Sequence, residues 1–89
     1  MLYVPVVYVV DNKYDYIYNK YLNTDKITFI GFKKLEIKGK VQFFVVFQAD
    51  QDEYRLTDDN NDLLLFDSTK SAKEYLIEHN ILRKLNDNK

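Results

Sequence analysis

The sequence predicts an α+β fold: an antiparallel sheet of about five strands, built from hairpins and a meander, with one C-terminal helix packed on it. Three observations point there. Two long β-prone runs flank Lys38-Gly39-Lys40. The turns between runs are too short for parallel crossovers, which need a dozen or more residues. Only the last stretch combines an N-cap signal with helical spacing.

The first run, residues 2–10, is rich in Val and Tyr, which suit a packed pleated surface. Pro5 removes one ladder donor, so this strand lies at an edge or has Pro5 near its start. Asp11-Asn12-Lys13 reads as a turn. Residues 14–22 fit two patterns. Tyr14, Ile17, Tyr18 and Tyr21 fall at helical spacing, while Tyr14, Tyr16 and Tyr18 alternate as on a strand. Without Ala or Glu the segment is a weak helix former, and strand is the favoured reading.

Residues 27–37 and 41–48 form a long hairpin around Gly39, which supplies the positive φ of a tight turn. Gly31, inside the first of these strands, marks a bulge or a close backbone approach. Residues 49–53 are a polar turn, 54–57 a short strand, 58–62 an acidic loop, and 63–66 another short strand. Ser68 or Asp67 caps the helix, whose packed face carries Ala72, Tyr75, Leu76 and His79. Asn80 takes the left-handed cap position with Ile81 folded back, and 81–85 add a further turn. Residues 1–85 make one compact domain, and 86–89 fray.

Composition narrows the function. The 89 residues carry 13 Lys+Arg against 14 Asp+Glu, which disfavours a generic, clearly basic nucleic-acid binder. There is no cysteine and one histidine, so disulfides, thiolate metal sites and cysteine nucleophiles are excluded. The N-terminal run lacks a basic region and cleavage site, and no segment approaches the roughly 20 apolar residues of a membrane span. Lys, Asp, Asn and Tyr are abundant while Ala, Gly, Pro and Arg are scarce, the signature of AT-rich codons. Such a short, Tyr/Asn-rich chain resembles the accessory proteins of phages and mobile elements in AT-rich bacteria, which implies the bacterial host cytosol as its location.

No motif supports catalysis, and no metal or cofactor is expected. His79 reads as a partly buried helix residue. Asp58, Asn60 and Asp62 alternate like the front of a calcium loop, but the sixth position is Leu63 and the twelfth Thr69, so a solvated turn is expected. Between residues 26 and 40 five lysines face Glu36 alone, whereas residues 50–62 hold six acids against Arg55. Lys33, Lys34, Lys38 and Lys40 are therefore the residues of an alternative reading, a nucleic-acid-binding module.

The stronger signal is an apolar surplus. One face of 27–37 carries Ile27, Phe29, Leu35 and Ile37, the other Ile30 and Phe32. In 41–48, Val41, Phe43, Val45 and Phe47 oppose Phe44 and Val46. A half-exposed strand alternates apolar with polar, and these do not. Either residues 14–22 form a second covering helix, or the sheet curls into a partial barrel, or a partner covers the second face. The expected function is a non-enzymatic protein-interaction domain that binds and inhibits a host protein. Its expected contacts are Tyr14, Tyr16, Tyr18, Ile30, Phe32 and Phe44, flanked by Lys33 and Lys34. Without a partner, a homodimer is the simplest cover.

Overall fold

The structure, a computed structural model, describes residues 2–10 and 13–82, with the backbone alone described for 14–19. The expected turn at residues 11 and 12, the final turn at 83–85 and the frayed tail at 86–89 lie outside the described residues.

Five strands form one antiparallel sheet: β1 Tyr3–Val10, β2 Lys13–Asn23, β3 Ile27–Ile37, β4 Lys40–Ala49 and β5 Asp52–Leu56. Their spatial order is β2-β1-β5-β4-β3. A 3-10 turn, Thr24–Lys26, joins β2 to β3, and helix α1, Thr69–Glu78, follows. The ambiguous segment 14–22 is thus strand, not a second helix. The expected strand at 63–66 does not form. That segment meets the rest of the chain through isolated bridges, Thr57 with Leu63 and Phe43 with Phe66, and through Leu64 N–H, which donates to Leu56 O at 3.2 Å. Phe43 and Phe66 exchange both backbone hydrogen bonds, at 2.7 and 2.8 Å.

Two tight turns set the registers. Lys38 and Gly39 have φ of 51° and 81°, and Ile37 pairs with Lys40. Asp50 and Gln51, at φ of 53° and 71°, do the same between β4 and β5. Positive φ at both central residues matches the twist of the flanking strands. Pro5 is the third residue of β1, which is an inner strand. Its missing N–H falls at the end of the β1–β5 ladder, which continues past Val6 through Thr57 N–H donating to Pro5 O at 3.1 Å.

The sheet cannot be flat. Asn23 ends one edge strand and Ile27 begins the other, so the link spans at most ~15 Å. Four strand spacings alone separate flat edges by ~19 Å. The two residues also lie at opposite ends of the strands: Asn23 pairs with the first residue of β1, and Ile27 with the last of β4. The sheet is therefore strongly twisted and curved, which brings the end of β2 close to the start of β3. Its inner face holds Val4, Val6, Leu22, Val45, Phe47, Ala49 and Leu56, closed by Ala72 and Leu76 of α1.

Helix α1 starts as its sequence signals. Ser68, not Asp67, is the N-cap, and its side chain and that of Ser71 exchange backbone hydrogen bonds in a capping box. Asn80 has φ of 61°, Asn80 N–H donates to Ile77 O and Ile81 N–H to Leu76 O, the Schellman pattern. His79 departs from expectation. It is exposed, because it sits at the C-cap where the helix leaves the sheet, and it stacks on Tyr75 instead of packing inward.

Candidate functional site

The middle of the hairpin is covered within the chain, while Phe29, Ile37 and Val41 nearer its ends stay exposed. Val7, Val9, Phe44 and Val46 on the outer face are 2, 9, 5 and 4% exposed. Arg55 is part of the cover. It lies between Val7 and Val46 across the sheet, and its guanidinium carbon sits 4.8 Å from the Phe44 ring centroid. Arg55 Nε donates to Glu53 Oε2 at 3.2 Å, and Lys33 Nζ lies 4.0 Å from the same oxygen. Next to them Phe29 covers bare backbone: a Cβ on Gly31 would fall 2.9 Å from Phe29 Cε2. Gly31 therefore marks a close approach, and the irregularity of β3 lies elsewhere, between Ile27 and Phe29.

The structure separates residues that the sequence grouped. Ile30 pairs with Phe47 and Phe32 with Val45, so both face inward and pack against the core, while Phe44 faces outward under Arg55. A single patch of Ile30, Phe32, Phe44 and Val46 does not exist. Lys33, paired with Phe44, and Lys34, paired with Phe43, fall on opposite faces of the sheet. Lys38 occupies the turn and Lys40 opens β4. Tyr14 pairs with Val9 through its backbone. The side chains of Tyr14, Tyr16 and Tyr18 lie outside the described residues.

What stays open is the rim. Among the described residues, β3 has a strand neighbour on one side only, β4. Because Ile37 and Lys40 flank a two-residue turn, they form the hydrogen-bonded pair, and the N–H and C=O groups of the alternate residues Glu36, Lys34, Phe32 and Ile30 point away from β4. Phe29 and Ile37 are 56 and 50% exposed beside this edge, and Lys33, Lys34, Lys38 and Lys40 are all exposed.

A second feature was not legible in the sequence. A cavity of about 270 Å³ opens between the start of β1, the loop after β5 and the C-terminal end of α1. Leu2, Pro5, Leu56 and Ile81 supply apolar wall, and Asp58, Asp59, Tyr75 and His79 supply polar groups. Thr57 also lines it; it is fully buried, and its Oγ1 has no hydrogen-bond partner among the described residues. An orphaned buried hydroxyl costs roughly 1–3 kcal/mol. Asp58 Oδ1 accepts from Asn60 N–H at 2.8 Å and Asp62 N–H at 3.0 Å, which closes the acidic loop on itself. His79 Nδ1–H donates to Tyr75 O at 2.9 Å, and the two rings stack 3.9 Å apart. Burial pushes the Tyr75 phenol above its ordinary pKa, and the carboxylates of Asp59 and Asp58 push it further. These residues come from three distant parts of the chain, which is why no sequence motif announced them.

Compared with known proteins, the chain matches no family model, and no curated protein and no solved structure resembles it at a significant level.

Proposed function

We propose that the chain is a non-enzymatic protein-interaction domain that captures an extended, acidic segment of a partner along the outer edge of β3. The observation that carries the reading is an 11-residue edge strand with outward backbone donors and acceptors and a lysine-rich border. Such an edge pairs with an added strand, main-chain hydrogen bonds supplying affinity and flanking side chains specificity. Here the flanking groups are the exposed rings and chains of Phe29 and Ile37 and the lysines at 33, 34, 38 and 40.

Charge selects the partner. Full antiparallel pairing of two β3 strands, centred on Phe32, would set Lys33 opposite Gly31 and Lys34 opposite Ile30, leaving the two Lys33 side chains diagonal to each other. A second copy thus offers these lysines no carboxylate opposite them, whereas an acidic strand places one across from each, so an acidic strand fits better than a second copy. Edge pairing would act by occupying the partner's segment, which matches the inhibitory role expected of a phage or mobile-element accessory protein bound to a host protein.

The test is an NMR titration with a synthetic peptide of alternating Glu and Val, beside its Lys-for-Glu counterpart and an oligo-dT strand. The acidic peptide alone should shift the amides of Ile30, Phe32, Lys34 and Glu36. Lys34→Pro removes an outward donor without touching the β4 ladder and should abolish those shifts. Shifts produced by oligo-dT at physiological salt, lost in a Lys33→Ala/Lys34→Ala/Lys38→Ala/Lys40→Ala variant, would replace this reading with nucleic-acid binding.

A further inference from the structure

We propose that the cavity between β1, the acidic loop and the end of α1 binds a primary alkylammonium group. This does not rest on the β3 edge and concerns another part of the molecule. The volume, about 270 Å³, falls just below the range of drug-sized ligands and suits a short aliphatic chain. The walls from Leu2, Pro5, Leu56 and Ile81 match such a chain.

The polar groups set the charge of the ligand. Asp58 and Asp59 line the cavity, and no described Lys or Arg forms an ion pair with either. Asp58 spends one oxygen on its own loop, through Asn60 and Asp62, and the other oxygen is not used there. The Thr57 hydroxyl is a further buried acceptor without a partner. An ammonium carries three donors and no acceptor, which matches two carboxylates and a hydroxyl. An anion would meet the carboxylates, and a neutral alcohol would leave them unneutralised. Tyr75 lines the same cavity, and its phenol is pushed up first by burial and then by the carboxylates of Asp59 and Asp58.

Two sources offer this chemistry: a free diamine and a lysine side chain. The probes are therefore cadaverine and Nα-acetyl-lysine methylamide, with valerate and 1-pentanol as chain-matched anion and neutral controls, followed by amide shifts in NMR. Both ammonium probes should give saturable shifts at residues 57–59, Tyr75 and His79, and the tighter of the two identifies the source. Asp58→Asn/Asp59→Asn should weaken binding at least about tenfold, the scale of one lost charge-assisted hydrogen bond. An amide at position 58 still accepts from Asn60 and Asp62, so the loop keeps its fold. Thr57→Val should weaken binding by a smaller factor while leaving the spectrum folded. Absence of saturable shifts with either amine overturns the proposal, as do equal shifts with 1-pentanol or an undiminished affinity in the double variant.

Discussion

The guanidinium carbon of Arg55 lies 4.8 Å from the centroid of the Phe44 ring, two strands' side chains closing one face of the sheet. Arg55 here does the work of an apolar residue. Its stem covers the Val7 and Val46 row while its head stays bonded to Glu53. Its side chain is only 11% exposed.

Arg55→Ala should therefore destabilise the domain by about 1–3 kcal/mol, through lost cover and the loss of the nearer of Glu53's two cations. Arg55→Met, which keeps the stem, should lose less. Urea melts of the two variants measure the difference, and equal losses would show that charge alone matters.

Gln51 has φ of 71° without being glycine. A side chain in this region costs roughly 1–2 kcal/mol, so Gln51→Gly should stabilise the β4–β5 turn by about 1 kcal/mol, less the entropy glycine adds to the unfolded chain. A lower midpoint in thermal melts would contradict the strain.

Phe29 and Gly31 should behave as a unit. Gly31→Ala pushes on the exposed Phe29 ring, which can swing away, so its cost should stay below about 1 kcal/mol. In Phe29→Ala, Gly31→Ala should become neutral or stabilising, since alanine suits a strand better than glycine. A double-mutant cycle with no coupling would refute the contact.

At the helix, Ser68→Ala should cost about 0.5–2 kcal/mol and Asp67→Ala close to nothing, because Ser68 alone caps. Leu76→Ala, at a fully buried position, should cost about 2–5 kcal/mol. Denaturant melts check all three.

Tyr75 and Tyr54 both have pKa values raised above 10.0, first by burial and then by nearby acids, Asp59 and Asp58 for Tyr75 and Asp52 for Tyr54. A raised folded-state value means that the unfolded chain releases the phenolic proton first. Their contribution is thus fully present below pH ~10 and is lost as pH climbs through the folded values. Stability should fall above pH ~10, and Tyr75→Phe should flatten that fall. An unchanged pH slope in the variant would refute it.

Much of the fold was legible because single residues forced it. Gly39 between two β-prone runs demanded the hairpin, and Ser68 and Asn80 bracketed the helix. The faces were not legible, for a reason one residue wide. Reading Lys38-Gly39-Lys40 as a three-residue tip puts Ile30 and Phe32 on the face of Phe44 and Val46. The two-residue turn pairs Ile37 with Lys40, and that slip sends them to opposite faces. The bulge between Ile27 and Phe29 adds a second reversal that β-propensity cannot reveal. The cavity was hidden for another reason. Pro5, Asp58 and Tyr75 meet only once β1 and β5 pair, and nothing local in the chain marks that meeting.

The short link from Asn23 to Ile27 also bears on how the domain assembles. It divides the chain into a local hairpin, β1 with β2, and a local meander, β3 to β5 with its helix. Among the described residues, the halves pair only through β1 with β5, from Val6 opposite Leu56 to Val9 opposite Glu53. A tether this short holds the halves at an effective concentration of about millimolar, so their docking is an intramolecular event. Cleaved within residues 24–26, the same sequence would become two fragments whose reunion depends on how much of each is present.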